Sequence, residues 1–145
     1  MLDSTQRGFV AVARRASLAT IAPDGRPRLV PVCFVLLEDV VYTPIDEKPK
    51  RGTDPRALAR VRDVTDRPAV TLLVDRWDDD WGRLAWVRLY GTATLLEPRL
   101  GPTAHARAIA ALRAKYPQYE AHALERRPVI RIAIERVVAW GEPGP

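Results

Sequence analysis

The chain has 145 residues, of which 47% are hydrophobic and 28% charged, an ordinary globular composition that predicts a single domain over residues 1–145. Its one cysteine, Cys33, excludes an internal disulfide, and no segment resembles a membrane span or a secretory signal, so a cytoplasmic protein is expected. The net charge of +5 suits an anionic partner, although solubility alone explains an excess of this size.

The first part of the chain is predicted to form one helix followed by three strands. Asp3 and Gln6 have the spacing of a capping box, and apolar residues then recur at helical intervals, which predicts a helix over residues 4–16. Residues 23–27, Pro-Asp-Gly-Arg-Pro, are a strong turn signal. The three strands are joined by short turns and are therefore expected to form an antiparallel meander: 17–22, 28–37 and 40–43.

The second part begins with a charged, proline-rich loop over residues 44–53. Asp54 and Pro55 then have the positions of a helix cap and a first-turn proline, which predict a second helix. Gly91, in the middle of a long strand, predicts a bulge or a close backbone approach. The remaining elements are strands over 68–75 and 84–97, a third helix over 101–116 and a last strand over 129–140.

This order of elements predicts the fold class. Six strands and three helices do not alternate as they do in a doubly wound parallel sheet. An antiparallel barrel, closed or split and flanked by helices, agrees better with the short connections and protects the edges of the sheet. The sequence therefore predicts a mainly β fold with flanking helices.

Standard catalytic and metal-binding motifs are absent from the sequence. His105, His122 and Cys33 lie on different predicted elements and are interpreted as two surface histidines and a packing cysteine. The carboxylates at 75 and 78–80 lack the spacing of a calcium loop and are interpreted as part of a solvated turn. The sequence therefore predicts no metal site and identifies no catalytic side chain.

The segment 48–51, Lys-Pro-Lys-Arg, is a candidate binding loop. Of 23 basic residues only three are lysines, and two of them lie in this segment, where arginine does not freely replace a compact ammonium group. The Thr43 hydroxyl and the N-terminus of the second helix could join these cations around a phosphate group. A solvated basic loop, balanced by the two acidic residues that precede it, is an equally good interpretation.

Three tryptophans are concentrated around one predicted loop. Trp77, Trp81 and Trp86 fall within ten residues, which exceeds what a small core needs. A planar ring ligand or an oligomer interface would use such side chains. Packing beneath the loop explains them equally well.

Several blocks of sequence resemble a known family. Residues 18–27, Leu-Ala-Thr-Ile-Ala-Pro-Asp-Gly-Arg-Pro, resemble the first strand and hairpin of the pyridoxamine-phosphate-oxidase-like split barrels. Residues 46–50, 74–81, 84–88 and 115–119, which include Asp-Asp-Trp, Trp-Val-Arg and Lys-Tyr-Pro-Gln-Tyr, resemble an actinobacterial subgroup of F420-dependent enzymes in that family. The resemblance covers nearly the whole chain. It implies a six-stranded antiparallel split β-barrel that forms a homodimer, with two cofactor sites at the interface.

The same resemblance implies which residues hold the cofactor phosphate. In related deazaflavin-binding proteins, basic residues after the third strand bind this group, and the matching residues here are Lys48 and Lys50, with Arg51 adjacent. Thr43, at the end of the third strand, matches a hydroxyl position.

The ring system is expected to lie along the second strand. Trp81 and Trp86 match aromatic positions near the cofactor and are expected to reach it from the other subunit. The strand residues concerned are Arg28, Val30, Pro31 and Val32.

The implied activity is hydride transfer from reduced coenzyme F420 to an unsaturated small organic substrate, with the deazaflavin supplying the redox chemistry. Arg88 or Tyr90, on the strand face of Trp86, would steer an anionic substrate. The alternatives are an FMN-binding oxidase or reductase of the pyridoxamine-phosphate-oxidase type, and a non-catalytic flavin-binding carrier. No nucleic-acid or membrane partner is expected, because no recognition motif accompanies the positive charge.

Overall fold

The computed structural model describes residues 1–45 and 54–145. Over these ranges the chain forms three α-helices: α1 Ser4–Val12, α2 Ala59–Asp66 and α3 Pro102–Lys115. It also forms seven β-strands: β1 Ala16–Ile21, β2 Pro27–Val32, β3 Val35–Leu37, β4 Val40–Pro44, β5 Ala69–Arg76, β6 Ala85–Leu96 and β7 Val129–Gly141. Short 3₁₀ turns lie at Pro55–Ala57, Trp81–Arg83, Pro117–Ala121 and Leu124–Arg126.

All three predicted helices are present, but their bounds differ. The predicted cap Asp54 and first-turn proline Pro55 begin a separate 3₁₀ turn, and α2 starts only at Ala59 because the backbone of Leu58 is extended. The capping box of α1 is present, because the amide of Gln6 donates to Oδ1 of Asp3 at 2.8 Å and the amide of Asp3 donates to Oε1 of Gln6 at 3.0 Å. The helix ends at Val12, ahead of the predicted residue 16. Beyond it, the carbonyl of Arg14 accepts a hydrogen bond from the Tyr116 hydroxyl at 3.0 Å, a long-range contact that no local pattern indicates.

The strands form one antiparallel sheet in the order β2-β1-β5-β6-β7-β4-β3. The strands β2 and β3 are therefore the two edges of the sheet, yet only Cys33 and Phe34 separate them in the chain. Three residue steps reach no further than about 11 Å, so the edges lie close together and the sheet curls into a barrel that is split between them. The expected mainly β fold with a split barrel is confirmed.

The number of strands differs from the prediction, which was six. The predicted strand 28–37 is broken into β2 and β3, which lie at opposite edges of the sheet. Both antiparallel pairings of the expected meander are present, β1 with β2 and β3 with β4, but no continuous middle strand joins them. The break lies at Phe34, which is fully buried and whose amide donates to the Tyr116 hydroxyl at 3.1 Å. Because the sequence around Phe34 is a continuous apolar run, it carries no local signal for the break.

Gly91 lies at the irregularity expected in the long strand β6. The register against β7 shifts after Tyr90, so that Glu135 of β7 is the extra residue of a β-bulge. A Cβ atom on Gly91 would lie 2.4 Å from the carbonyl oxygen of Ala133 on the paired strand. Both the bulge and the close backbone approach predicted at Gly91 are therefore confirmed.

Burial alternates along the strands and defines an inner and an outer face of the sheet. The main core fills the inside of the barrel and includes Val10 of α1 and Val61 and Val64 of α2. A second cluster, which includes Leu112 and Tyr116, lies beneath α3. No helix in the described ranges is long and apolar enough to cross a membrane.

Candidate cofactor-binding site

The strand on which the sequence places the cofactor ring, β2, is an edge strand. One side of its backbone pairs with β1, while the other side has no strand partner in the described part of the chain. Its side chains alternate between two faces. Val32 is 6% exposed and Val30 packs against the core, whereas Leu29 is 71% exposed and Pro31 is also exposed. The predicted ring contacts thus lie on both faces of this edge strand.

Arg28 of β2 is held by a buried carboxylate that the sequence analysis did not identify. Its Nε donates to Oδ2 of Asp63 at 2.8 Å, and the Thr20 hydroxyl donates to the same oxygen at 2.8 Å. Asp63, on α2, is only 1% exposed. It was missed because its partners lie on β1 and β2, far from it in sequence. A charged residue on a short polar helix is usually solvated.

The surroundings of Asp63 keep it ionised. Burial alone would raise the pKa of this carboxyl group, but the hydrogen bonds from Arg28 and Thr20 outweigh burial and lower the pKa below its usual value. Arg67 adds a weaker attraction, with Nη2 4.0 Å from Oδ1 of Asp63. The cluster therefore contains one buried negative charge that helps to hold the more exposed Arg28.

Thr43 lies in β4, one residue before the end of the strand, and is 1% exposed. Its hydroxyl oxygen has no hydrogen-bond partner among the described residues. A buried hydroxyl without a partner lowers stability by about 1–3 kcal/mol, so such an atom in a folded protein requires an explanation. Thr43 lies at the end of the third predicted strand, as expected, and shortly before the segment of the predicted phosphate-binding residues.

The predicted phosphate-binding residues Lys48, Lys50 and Arg51 lie outside the described residues, 1–45 and 54–145. The chain on either side of them is well defined. Ile45 is 1% exposed in the core, and Asp54 accepts a hydrogen bond from the amide of Arg56 at 2.9 Å as a helix cap. The candidate segment is therefore attached to the barrel at one end and to the α2 region at the other.

Two of the three clustered tryptophans are exposed. Trp77 and Trp81 have 75% and 74% of their surface accessible, so packing beneath the loop does not explain them. Trp81 begins a 3₁₀ turn that is capped by Asp80, whose Oδ1 accepts from the amide of Gly82 at 3.0 Å. The loop thus presents Trp81 to solvent in a defined conformation.

Trp86 behaves differently, because it is half-buried on the outer face of β6. The guanidinium of Arg88 lies 4.7 Å from the centroid of its ring, and Nη1 of Arg88 donates to the Tyr90 hydroxyl at 3.1 Å. Arg136 lies 4.1 Å from the centroid of the Tyr90 ring. The sequence analysis did not identify Arg136, because the bulge at Glu135 is what sets it opposite Tyr90. Two cations therefore flank one tyrosine and could bind an anionic group.

The remaining histidine, cysteine and carboxylate candidates differ from the prediction or form structural contacts. His105 was expected on the surface, but it is 3% exposed and its Nε2 lies 2.7 Å from the carbonyl oxygen of Arg127. Cys33, expected to be buried, is partly exposed beside the second cluster. In the acidic loop, Asp78 pairs with Arg83 at 2.9 Å. No group of side chains with the composition of a metal site occurs in residues 1–45 and 54–145.

Solved structures of several different proteins have this fold. The conserved hypothetical protein Rv2991 from Mycobacterium tuberculosis has a TM-score of 0.78 at 22% identity, over 98% of this chain and 86% of that protein. An F420 reductase has a TM-score of 0.67 at 17% identity, over 95% of this chain and 98% of that protein. An FAD-binding protein from Mesorhizobium loti has a TM-score of 0.65 at 22% identity, over 95% and 94% of the two chains.

At these identities the likeness shows a common fold. The sequence matches none of the curated proteins with which it was compared. The model of the family described as pyridoxamine 5'-phosphate oxidase matches residues 2–141, nearly the whole length of the chain. Together with the split barrel, this match shows that the chain belongs to the pyridoxamine 5'-phosphate oxidase family.

Proposed function

We propose that the protein is an oxidoreductase that binds coenzyme F420 and transfers hydride from the reduced coenzyme to an unsaturated small organic substrate. The observation that carries the proposal is the buried Thr43 hydroxyl, which lacks a partner among the described residues and precedes the segment with Lys48, Lys50 and Arg51. A cofactor phosphate would accept a hydrogen bond from Thr43 and charge-assisted bonds from the cations. The residues present therefore fit a phosphate-bearing, flavin-type cofactor.

The open edge of β2 supports the proposed position of the ring. The open edge presents mainly carbonyl oxygens, because Pro27 and Pro31 have no N–H, and these oxygens can accept hydrogen bonds from donors on the rim of a planar heterocycle. The residues proposed to lie near the ring here are Arg28, Val30, Pro31 and Val32, although the side chain of Val32 packs in the core.

A homodimer would complete the site. Trp81 is 74% exposed on an ordered turn, so it is available to a second copy of the chain, where it would stack on the ring together with Trp86. Exposed Leu29 and Trp140 on the barrel are also available for an interface between two copies. In this arrangement each site takes its phosphate-binding residues from one subunit and Trp81 from the other.

In this arrangement the cofactor and the protein would have different roles. When bound, the deazaflavin supplies the hydride chemistry. The protein binds the phosphate, orients the ring against β2 and excludes water with the tryptophans. Arg88 and Tyr90, joined by a hydrogen bond of 3.1 Å, would orient an anionic substrate on the outer face of β6.

FMN is the second candidate cofactor, because the Thr43 hydroxyl and the cationic segment would serve its single phosphate as well. The net charge of +5 favours F420, whose oligoglutamate tail is anionic. An FMN-dependent oxidase or reductase would have the same site with the other cofactor. A non-catalytic flavin-binding carrier would bind the cofactor without turnover.

Activity is tested by following the oxidation of reduced F420 with a panel of unsaturated acids, ketones and lactones. We expect turnover that falls at least about tenfold in the double variant Lys48→Ala/Lys50→Ala, since two charge-assisted contacts are lost. Arg99→Ala is the matched control, because Arg99 is an exposed cation with no contact described here. Turnover with reduced FMN but not with reduced F420 would identify FMN as the cofactor. Cofactor binding without any turnover would support a non-catalytic flavin-binding carrier.

The shared site is tested by mixing two inactive variants. Subunits carrying Trp81→Ala and subunits carrying Lys48→Ala/Lys50→Ala should together regain about a quarter of the wild-type sites if heterodimers form at random. No recovery after confirmed subunit exchange would contradict a site that uses both subunits.

A further inference from the structure

We propose that Asp63 is a positioning residue that orients the guanidinium of Arg28 so that its two terminal nitrogens face an oxyanion of the bound cofactor. This inference rests on the function proposed above. Asp63 lies outside every sequence block that resembles the family. Its own side chain is not proposed to contact the cofactor.

The carboxylate of Asp63 is held in one orientation by its hydrogen bonds. Oδ2 of Asp63 accepts two hydrogen bonds of 2.8 Å, from Arg28 on β2 and from Thr20 on β1. Asp63 itself is on α2 and is 1% exposed. Because three elements meet at one oxygen atom, the carboxylate has little freedom to turn, and neither has the Nε atom that it holds.

The bond from Nε to Asp63 leaves the two terminal nitrogens of Arg28 available to a ligand. A guanidinium has five N–H donors in a fixed plane, and Asp63 uses the single donor on Nε. The terminal nitrogens of Arg28 make no hydrogen bond to any residue in 1–45 or 54–145, and 41% of its side chain is exposed. Two parallel donors at a solvent-accessible edge match the geometry of a phosphate or carboxylate group.

The local charge is a further support for the proposal. Hydrogen bonds from Arg28 and Thr20 more than offset burial and keep the pKa of Asp63 below its usual range, so the residue is ionised at neutral pH. Arg67 lies 4.0 Å from Oδ1, but its Nε already donates to the carbonyl of Ile21 at 2.9 Å. Arg28 and Arg67 carry two positive charges and Asp63 carries one negative charge. The resulting net positive charge at the exposed edge of Arg28 favours the binding of an anionic ligand.

Stability alone does not account for a carboxylate at this position. The neighbouring Val61 and Val64 pack in the main core, and a buried ion pair is rarely more stabilising than apolar side chains of similar volume. An apolar residue at 63 would preserve the packing of α2 but would leave Arg28 without a fixed orientation. The carboxylate is thus better explained by what it does to Arg28.

The test is a double-mutant cycle on cofactor affinity, measured by fluorescence titration with F420. Asp63→Asn keeps the shape of the side chain and removes its charge, and we expect affinity to fall roughly fivefold to tenfold. Arg28→Met should weaken binding by at least as much. The double variant should bind no more weakly than Arg28→Met alone, because Asp63 acts through Arg28. Asp66→Asn, an exposed carboxylate on the same helix, is the control and should bind as the wild type does.

A second readout is independent of the cofactor. The Nε–H of Arg28 should give a protected, slowly exchanging NMR signal in the wild type that exchanges rapidly in Asp63→Asn. If Asp63→Asn does not fold, Thr20→Val loosens the carboxylate by removing the other bond to Oδ2, and it should weaken F420 binding and speed the exchange of the Arg28 Nε–H; no change in either would overturn the role. Unchanged affinity in a folded Asp63→Asn, or independent effects of the two substitutions, would overturn the positioning role alone. Failure of the wild type to bind F420 or FMN would instead overturn the proposed function, and this role with it.

Discussion

The hydroxyl of Tyr116 accepts a hydrogen bond of 3.1 Å from the amide of Phe34, the residue at which the barrel is split. The same hydroxyl lies 3.0 Å from the carbonyl oxygen of Arg14, to which it can donate. The neighbouring Lys115 donates from Nζ to the carbonyl of Phe34 at 3.0 Å. The end of α3 thus satisfies both backbone groups of Phe34, where β2 and β3 diverge and no ladder partner is available.

Removing the Tyr116 hydroxyl should therefore lower the stability of the fold even though the aromatic ring remains. Tyr116→Phe leaves the buried amide of Phe34 without a partner, which should lower the free energy of unfolding by about 1–3 kcal/mol in a urea titration. Tyr90→Phe is the control, because the Tyr90 hydroxyl binds Arg88 at a partly exposed site and its loss should cost less than about 1 kcal/mol. Equal stabilities for the two variants would show that Tyr116 does not hold the split.

Lys115 should make stability depend on pH in the alkaline range. Burial and, to a smaller extent, the charge of Arg14 lower the pKa of Lys115 to about 8, against 10.5 for the ordinary side chain. Between these values the unfolded chain binds more protons than the folded one. The free energy of unfolding should therefore rise with pH across this window, by at most about 1.4 kcal/mol per pH unit from this group.

The variant Lys115→Met isolates this contribution. Urea titrations from pH 7 to 10.5 should show a flatter profile for the variant than for the wild type. The same rise in both proteins would mean that another group causes it.

A methyl group at Gly91 should disrupt the bulge. Its Cβ would lie 2.4 Å from the Ala133 carbonyl oxygen, a backbone atom of the paired strand that cannot easily move. Gly91→Ala should lower the free energy of unfolding by about 2–3 kcal/mol. In contrast, a Cβ on Gly8 of α1 meets no atom within 4 Å, so Gly8→Ala should raise stability by about 0.5–1 kcal/mol. Thermal unfolding of both variants checks the opposite signs.

Two buried threonines provide a matched pair for the site. Thr43→Val removes a buried hydroxyl without a partner in the described part of the chain, so the cofactor-free protein should become more stable by about 1–3 kcal/mol while F420 binds about tenfold more weakly. Thr20→Val removes a bond to Asp63 and should lower the free energy of unfolding by about 1–3 kcal/mol. Loss of stability in Thr43→Val with unchanged affinity would show that its hydroxyl serves the fold and not a ligand.

Local signals predicted much of the fold. The capping box at Asp3 and Gln6 and the bulge at Gly91 both come from residues whose backbone requirements are specific, and both are present. The break at Phe34 could not be predicted in this way. At the break the Phe34 amide bonds to the Tyr116 hydroxyl, 82 residues further along the chain, and an apolar run is compatible with one strand or two.

The site was less predictable than the fold. The position of Thr43 was expected, but its burial without a partner is a property of the packed barrel. The sequence alone did not decide whether Trp81 packs beneath its loop, contacts a ring ligand or lies in an interface. Its exposure excludes packing within its own subunit. Asp63 had no local signal at all, because its role depends on β1 and β2 meeting α2 at a single carboxylate.

Titration of the purified, cofactor-free protein with F420, and separately with FMN, tests most directly the proposal that this barrel binds a deazaflavin. Fluorescence should show tight binding of F420 and weaker binding of FMN. Preferential binding of FMN would assign the protein to the flavin-dependent branch of the proposal. Binding of neither cofactor would contradict the account, because the site built around Thr43 and Arg28 would then have no ligand of the proposed kind.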